Sequence, residues 1–317
     1  MIDVMVASKQ RETDEICTLE LVRPDRHELP AFDPGAHIDV HLPNGMVRQY
    51  SLCNHPGETQ RYLISVLKDP ASRGGSVALH EQVAQGDRLQ ISEPRNLFPL
   101  AEHAERSLLL AGGIGVTPIL CMARTLAGAG EEFDMHYCAR SRSRMAFMRE
   151  IAQSDFTDRV QLHFDDEAPE QHFDADKVLA DPTPGTHLYV CGPAGFLDHV
   201  LAKAAAHGWP AAQVHREYFT ASPADHADDE SFEVEIRSSG QVLSIPPDRS
   251  VLQVLEEAGI FIPVSCEEGV CGTCMTRVLE GEPDHRDLFM TEQEQALNDQ
   301  FTPCCSRAKS GRLVLDL

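Results

Sequence analysis

The chain has 317 residues, a length typical of two or three domains that each bury their own hydrophobic core. Acidic residues outnumber basic ones by 50 to 27, and the formal net charge of -23 at pH 7 repels nucleic acid and anionic lipid. The sequence contains no run of about 18 apolar residues, the length needed to cross a bilayer. Residues 1–10 lack the pattern of a secretory signal. We therefore expect a soluble, monomeric, cytoplasmic protein without nucleic-acid or membrane partners.

The first hundred residues predict a small antiparallel barrel. Three runs read as short strands between turn residues: 38–42, then 49–52 after the Asn44-Gly45 turn, then 62–67. In the first of these strands His37, Asp39 and His41 share one face, which we expect to face solvent rather than to bind a metal.

From residue 107 onward, apolar strands alternate with helical periods. Strands are expected at 108–111, 133–138, 160–164 and 187–191, and helices at 118–127 and 196–207. This alternation favours a parallel sheet flanked by helices. The barrel is accordingly placed at 1–101 and the α/β domain at 102–221.

A polar, partly acidic stretch without a hydrophobic period follows, and we assign residues 222–231 to a linker. The third domain, 232–317, begins with strand-like runs at 232–237 and 241–245. A helix is expected over 251–258, with Ser250 as its N-cap and Gly259 beyond its end.

The third domain carries the most specific signal in the chain. Cys266, Cys271 and Cys274 have the spacing C-x4-C-x2-C, and Cys304 follows downstream, as in plant-type [2Fe-2S] domains. Glycines within this loop would let the backbone curl around the cluster and aim amides at its sulfurs. A structural zinc site is the alternative, but the second C-x2-C pair or the histidines that it usually needs are lacking. The spacing therefore predicts an iron-sulfur cluster.

Five other cysteines have no ligand spacing, and we expect them to pack as small apolar side chains: Cys17, Cys53, Cys121, Cys138 and Cys305.

A glycine-rich turn leads from a strand into a helix at residues 111–118. Thr117 is expected as the N-cap and Pro118 as the first helical residue. The glycines that would let a diphosphate approach the helix N-terminus are Gly112, Gly113 and Gly115. A tight structural turn is the alternative. A second turn, Cys191-Gly192-Pro193, follows the strand at 187–191, at the edge where open α/β sheets bind ligands.

Taken in order, these motifs resemble phthalate dioxygenase reductases, within the ferredoxin-NADP reductase superfamily. The motifs are Arg48-Gln49-Tyr50-Ser51, Arg73-Gly74-Gly75-Ser76, Gly112 to Pro118, Tyr189 to Pro193 and the C-terminal cysteines. The match covers nearly the whole chain. It implies an antiparallel β-barrel flavin domain, an α/β parallel-sheet nucleotide domain and an α+β, β-grasp ferredoxin-like domain.

The resemblance also implies roles for single residues. The motif Arg48 to Ser51 would hold the flavin, with Arg48 on its phosphate, Tyr50 packed on its ring and Ser51 near its reactive nitrogen. The loop Arg73 to Ser76 would close on the phosphate of FMN, which we favour over FAD. Phe219 would lie against the flavin and Cys191 beside the nicotinamide, although both could be plain core residues.

By the same resemblance, NADH would pass a hydride to FMN, with Ser51 and Cys191 as the catalytic residues. FMN would release single electrons through the [2Fe-2S] cluster to the Rieske centre of a terminal aromatic oxygenase or demethylase. Two alternatives stay open: the partner could be a phthalate-type dioxygenase, or the protein could sense redox state without turnover. An acidic surface could steer a basic partner or only keep the protein soluble.

Preference for NADH over NADPH is expected from Asp165 and Asp166, which follow the third strand of the α/β domain and would repel a 2′-phosphate. The arginines Arg140, Arg142 and Arg144 on a neighbouring loop argue for the opposite preference.

Two adjacent cysteines compete for the fourth ligand position. In an extended stretch after Pro303 successive side chains alternate, so only one of Cys304 and Cys305 can face the cluster. The family pattern Cys-x-Ser-Arg-Ala, here beginning at Cys304, implies that Cys304 is the ligand.

Overall fold

The computed structural model describes residues 1–70, 72–219 and 229–317. The chain divides into two compact units, Met1–Glu217 and Tyr218–Leu317. The first unit holds both the barrel and the α/β sheet, and most of the predicted linker lies outside the described residues. The boundaries that we placed between three domains therefore stay predictions. Among the helices described, none is both long and apolar enough to span a membrane.

The first sheet is antiparallel and closes on itself. Its elements are β1 (Ile2–Arg11), β2 (Ile16–Val22), β3 (Ala36–His41), β4 (Val47–Ser51), β5 (Tyr62–Leu67), helix α1 (Gly75–Glu81), β6 (Arg88–Ile91) and β7 (Arg95–Asn96). The strands follow the order β4-β3-β6-β1-β2-β5, and β7 pairs with β3. A bridge between Leu52, just after β4, and Ile64 of β5 joins the two ends of this order. The sheet is thus the predicted barrel.

Strand β3 shows where the burial prediction was wrong. His37 is 4% exposed and Asp39 is 8% exposed, and only His41 faces solvent. The barrel core lies on the other face of β3, so the polar face must be covered by other parts of the chain. Asp39 Oδ1 accepts hydrogen bonds from Gln49 at 3.1 Å and from Arg95, which lies 56 residues further on, at 2.7 Å. Alternation alone could not reveal this cover.

The second sheet is entirely parallel. Its elements are β8 (Arg106–Gly112), α2 (Val116–Ala129), β9 (Phe133–Ala139), α3 (Met148–Gln153), β10 (Val160–Phe164), α4 (Ala175–Val178), β11 (Thr186–Cys191), α5 (Ala194–Ala206) and β12 (Val214–Glu217). The strand order is β10-β9-β8-β11-β12. The chain builds outward from β8 in one direction and then in the other, so a crevice forms at the carboxyl ends of β8 and β11.

Helix α2 begins earlier than predicted. Its N-cap is Gly115, and Thr117 lies within the helix, where its hydroxyl donates to the carbonyl oxygen of Ile114 at 3.1 Å. Pro118 is the third helical residue rather than the first. The glycine-rich turn supplies its own cap through the backbone, so the side chain of Thr117 is used differently from the prediction.

The barrel and the parallel sheet are held together through α2. Cys121 packs into the barrel core, as predicted for a small apolar side chain, and the guanidinium of Arg124 donates to the carbonyl oxygen of Cys53. Because Cys53 lies just beyond β4, these contacts fix the end of β4 beside the parallel sheet.

The second unit is an α+β fold. Its elements are β13 (Phe232–Ile236), β14 (Gln241–Ile245), α6 (Val251–Glu257), β15 (Thr276–Glu280), β16 (Pro283–Asp284), α7 (Glu292–Gln295), β17 (Gln300–Phe301), β18 (Arg307–Ala308) and β19 (Arg312–Leu315). The main sheet has the order β14-β13-β19-β15-β17, with β13 parallel to β19. Helix α6 buries Val251 and Leu255 in the core of this unit. Ser250 caps α6 as predicted, in a reciprocal capping box with Gln253.

Candidate functional site

The loop between α6 and β15 carries three of the four predicted cluster ligands. Cys266, Cys271 and Cys274 are 6%, 9% and 4% exposed. The backbone amide of Glu268 donates to Cys266 Sγ at 3.3 Å, and that of Thr273 donates to Cys271 Sγ at 3.4 Å. The loop therefore presents buried sulfurs that already receive backbone N–H groups, as thiolate ligands require.

Two glycines make this loop possible. Gly269 has φ +73° and Gly272 has φ +67°, in the left-handed region that favours glycine. A Cβ at Gly269 would come within 2.5 Å of Cys305 Sγ, and one at Gly272 would overlap the ring of Phe289. Larger residues at either position would push the loop open.

The four predicted ligands fall into two interacting pairs, Cys266 with Cys271 and Cys274 with Cys304. The hydrogen bond from Cys266 is the largest cause that lowers the pKa of Cys271, to about 5. Within the described ranges, no three His, Cys, Asp or Glu side chains converge as ligands of a single metal ion would. Two separate thiol pairs suit a binuclear cluster, in which each iron takes two cysteines.

The adjacent cysteines near the C-terminus have different surroundings. Cys304 contacts the thiol of Cys274 as well as that of Cys305. Cys305 Sγ lies 3.3 Å from the hydroxyl oxygen of Thr302, and it fills the space beside Gly269. This geometry supports Cys304 as the fourth ligand and Cys305 as a residue that supports the loop.

In the first unit, side chains from three strands meet beside the carboxyl ends of β11 and β12. The hydroxyl of Ser51, at the end of β4, donates to Glu217 Oε2 at 3.5 Å. Cys191 Sγ, at the end of β11, lies 4.0 Å from the same oxygen. The structure thus brings together the two residues expected to be catalytic, and Glu217 joins them.

Glu217 was missed by the sequence reasoning. Burial raises its pKa to about 8, so the carboxyl is mainly protonated at neutral pH. Burial, followed by the proximity of Glu217, raises the pKa of Cys191 well above its usual value. One signal could have indicated Glu217: it ends a strand next to the switch point, where polar side chains usually serve a ligand.

The two predicted flavin motifs lie side by side. A Cβ at Gly75 would come within 2.7 Å of Arg48 Cγ, so this glycine leaves room for the arginine stem. Gly74 has φ +112° at the start of α1, where Asn44 Nδ2 donates to its carbonyl oxygen at 3.3 Å. Tyr50 is half-buried against the barrel core. The placement of Arg48 fits a group whose phosphate contacts the loop and whose ring contacts the strand.

Four other predicted flavin residues are less informative. Gln49 donates to Asp39 within the barrel at 3.1 Å, and the Ser76 hydroxyl accepts a hydrogen bond from the amide of Asp69 at 3.2 Å. Arg73 is exposed. Phe219 lies two residues beyond β12 and belongs to the second compact unit, so its placement against the flavin remains a prediction.

The two turns predicted to bind the nucleotide are in direct contact. A Cβ at Gly115 would overlap the carbonyl group of Cys191, and one at Gly192 would come within 3.0 Å of Gly112 Cα. Gly112 and Gly192 also lie against Phe196 of α5, and Pro193 is the N-cap of that helix. Gly113 has φ +54° and open space around the position of a Cβ. The two turns thus pack backbone against backbone at the crevice, and Gly113 is the partly accessible glycine among those named here. A glycine that a Cβ does not shield lets a diphosphate approach the backbone.

Asp165 and Asp166 are exposed directly after β10. Two of the arginines that oppose the NADH prediction have carboxylate partners. Arg142 donates to Glu167 at 3.2 Å, and Arg144 donates to Glu15 at 3.1 Å. Their charge is largely matched, which favours the carboxylates in setting the nucleotide preference.

Comparison with known proteins agrees with this architecture. The family described as the 2Fe-2S iron-sulfur cluster binding domain matches residues 234–309, and the dimethylamine monooxygenase subunit DmmA-like N-terminal domain matches residues 92–214. The chain is 59% identical over 317 residues to the vanillate O-demethylase oxidoreductase of Pseudomonas sp. (strain HR199 / DSM 7063), covering 100% of both. It is 40% identical over 313 residues to the phthalate dioxygenase reductase of Burkholderia cepacia, covering 98% of this chain and 96% of that protein.

A solved structure of phthalate dioxygenase reductase, described as modular for electron transfer from pyridine nucleotides to [2Fe-2S], matches with a TM-score of 0.80. Its sequence identity is 39%, and the match covers 100% of this chain and 98% of that one. Fold and site together define a modular electron-transfer oxidoreductase with a nucleotide domain and a C-terminal [2Fe-2S] domain.

The chain belongs to the phthalate dioxygenase reductase family. The predictions of the family, the multidomain fold, the oxidoreductase activity and the cofactors NADH, FMN and [2Fe-2S] are confirmed by these relationships. The chain is also 60% identical over 318 residues to the vanillate O-demethylase oxidoreductase of Pseudomonas putida, covering 100% of both.

Proposed function

We propose that this chain takes a hydride from NADH and delivers single electrons to the Rieske centre of a terminal oxygenase of the vanillate O-demethylase type. The observation that carries the proposal is the meeting of Ser51 and Cys191 at Glu217, within 4.0 Å. Ser51 belongs to the flavin motif and Cys191 to the nucleotide motif. A flavin and a nicotinamide held by these motifs would therefore react at one place.

The residues present fit both cofactors. Arg48 and the loop from Arg73 to Ser76 would hold the phosphate of FMN, and Tyr50 would pack on its ring. Gly112 to Pro118, together with Cys191 to Pro193, would bind the diphosphate and nicotinamide of NADH. FMN, when bound, accepts two electrons together as a hydride and releases them one at a time.

The protein groups at this place contribute little net charge. Glu217 is mainly protonated at neutral pH because burial raises its pKa to about 8, and burial keeps the thiol of Cys191 protonated. A hydride carries negative charge in transit, so neutral neighbours avoid repelling it. Ser51 offers a hydroxyl whose orientation is set by Glu217, and the small side chain of Cys191 leaves room for a planar ring.

In the second unit, each thiol pair would hold one iron: Cys266 with Cys271, and Cys274 with Cys304. Plant-type clusters carry one electron at roughly -400 mV, so the acceptor is another one-electron centre. The acidic chain would be steered toward a partner with a basic docking surface.

Similarity supports the vanillate-type partner, since the relative named for vanillate O-demethylase is 59% identical over its full length. A phthalate-type oxygenase is the second candidate, supported by 40% identity to a phthalate dioxygenase reductase. We also infer that the protein is monomeric and cytoplasmic.

An anaerobic titration with NADH tests the proposal. We expect the flavin band and then the cluster band to bleach, and the vanillate-type oxygenase to reoxidise both faster than a phthalate-type oxygenase does. Faster reoxidation by the phthalate-type oxygenase would reverse the choice of partner. Bleaching by NADH without catalytic reduction of cytochrome c or ferricyanide would instead indicate a redox sensor.

A further inference from the structure

One buried side chain beside the hydride-transfer site has no assigned role. His37 is 4% exposed, and neither of its ring nitrogens has a hydrogen-bond partner within the described part of the chain. Buried polar groups in folded proteins are almost always hydrogen-bonded. An imidazole with two unpaired nitrogens therefore indicates a partner that the bare chain does not supply.

Strand pairing places His37 next to Ser51. The amide of Leu52 donates to the carbonyl oxygen of Ala36 at 2.8 Å, and His37 is the cross-strand partner of Ser51 in the next position. In an antiparallel ladder, hydrogen-bonded and non-hydrogen-bonded pairs alternate. His37 and Ser51 thus form a non-hydrogen-bonded pair, whose side chains share one face with Cβ atoms about 5 Å apart.

The chemistry of Ser51 leaves a place for such a partner. A hydroxyl has one hydrogen and two lone pairs. The reactive nitrogen of a flavin accepts a hydrogen bond when oxidised and donates one when reduced, so the hydroxyl hydrogen must turn elsewhere on reduction. Glu217, mainly protonated at neutral pH, has a hydrogen of its own to place and is 3.5 Å from the same hydroxyl.

The surroundings of His37 keep its imidazole neutral. Burial, and to a smaller extent the nearby guanidinium of Arg95, lower its pKa to about 4, and the carboxylate of Asp39 raises it by less than these lower it. Arg95 donates to Asp39 at 2.7 Å, and Gln49 donates to the same carboxylate. These three side chains therefore bond one another rather than His37. A neutral ring keeps one nitrogen lone pair available as an acceptor.

We propose that His37 is a positioning residue for flavin reduction, whose ring nitrogen accepts the Ser51 hydroxyl hydrogen, directly or through one water, once the flavin is reduced. His37 would thereby stabilise the reduced flavin relative to the oxidised one. This inference rests on the proposed function, because it needs FMN beside Ser51.

Three variants test it in the FMN-loaded, full-length protein. His37→Phe removes the acceptor, and His37→Asn keeps one. We expect His37→Phe to shift the reduced-to-oxidised flavin equilibrium about 2- to 10-fold toward the oxidised form, the range expected for one hydrogen bond. His37→Asn should stay near wild type. His136→Phe is the matched control, because His136 is 5% exposed but bonds His163 at 2.9 Å in the nucleotide domain.

The flavin midpoint potential, measured by spectroelectrochemistry, and the FMN dissociation constant are the readouts. In a Ser51→Ala background, His37→Phe should cause no further shift. An unchanged potential in His37→Phe with FMN bound, or a shift that is fully additive with Ser51→Ala, would overturn the role of His37.

Should His37→Phe fail to fold, nitrogen-15 spectra of the histidines in wild-type protein decide the question. The His37 signals should change between oxidised and reduced flavin, whereas those of His136 should not. Identical His37 signals in both states would overturn the inference. A wild-type protein that binds no FMN would overturn the proposed function as well.

Discussion

The residues of the cluster loop and those of the flavin–nucleotide site are distributed differently along the sequence. Three cluster cysteines lie within nine consecutive residues, Cys266 to Cys274, and spacing alone identifies them. Ser51 and Glu217 are 166 residues apart and meet only because a barrel and a parallel sheet pack together. Ligands that lie close together in the sequence can therefore be predicted from their spacing. A site assembled from distant segments can be recognised only once the fold is known.

The largest expected effect comes from replacing a ligand of the cluster loop. Cys304→Ser should lose the [2Fe-2S] absorption and electron-paramagnetic signal, because the pair with Cys274 loses one thiolate, while NADH still reduces the flavin. Cys305→Ser is the matched control and should keep the cluster and cytochrome c reduction nearly intact. The reverse pattern would make Cys305 the ligand, and loss of the cluster in both variants would show that Cys305 is needed to support the loop.

The second largest effect is expected at the flavin–nucleotide site, which is assembled from distant segments. Glu217→Ala should slow flavin reduction by NADH about 100-fold in anaerobic stopped flow, because Ser51 loses the partner that orients it. Glu217→Gln, which stays neutral and hydrogen-bonding, should lose less than about tenfold. Cluster content is the internal control and should match wild type in both variants. Equal losses in alanine and glutamine variants would argue against an orienting role.

The rate of flavin reduction should also depend on pH through Glu217. The pKa of Glu217 is raised from 4.5 to about 8, so the group is protonated below that pH and becomes a carboxylate above it. The rate of flavin reduction should be flat from pH 6 to 7.5 and fall above pH 8, approaching a tenfold loss per pH unit for one ionisation. Glu217→Gln should remove this fall. If the glutamine variant keeps it, another group titrates.

Linkage gives the matching trend in stability. Glu217 takes up protons more readily in the folded state than in the unfolded state, so its contribution to the free energy of unfolding declines as pH rises from 4.5 toward 8. This decline should be absent from the urea unfolding curves of Glu217→Gln.

The smallest expected effect tests the nucleotide preference. Replacing both Asp165 and Asp166 by Ser should raise kcat/KM for NADPH relative to NADH about tenfold, because two exposed carboxylates no longer repel a 2′-phosphate. Arg142→Ser is the informative control, since its guanidinium already pairs with Glu167 at 3.2 Å and should change the ratio little. A wild-type ratio near one would show that the carboxylates do not set the preference.

Much of the architecture could be predicted because its signals are local. The cap of α6 at Ser250 depends on residues 250 to 253, and the structure has it as predicted. Thr117 was predicted as a cap because its type suits that position, but the preceding glycines already turn the chain and Gly115 takes the position.

His37 and Glu217 mark what the sequence could not reveal. A polar residue on an alternating strand reads as exposed, yet His37 is buried because more distant parts of the chain cover its face. Glu217 is the last residue of one short strand and belongs to none of the recognised motifs, so only its position near the switch point could have indicated it. Both become informative only when the register between β3 and β4 and the contact with β12 are known.

The contact between Gly115 and Cys191 has a consequence for engineering. A single added methyl group at Gly115 would overlap the carbonyl group of Cys191. The two turns therefore pack too tightly for either one to change shape without the other. Exchanging residues 112–118 with those of another reductase would therefore require residues 191–193 from the same donor. The side chains of Asp165 and Asp166 are exposed and can be replaced without moving either turn, so we expect coenzyme preference to be changed more easily there.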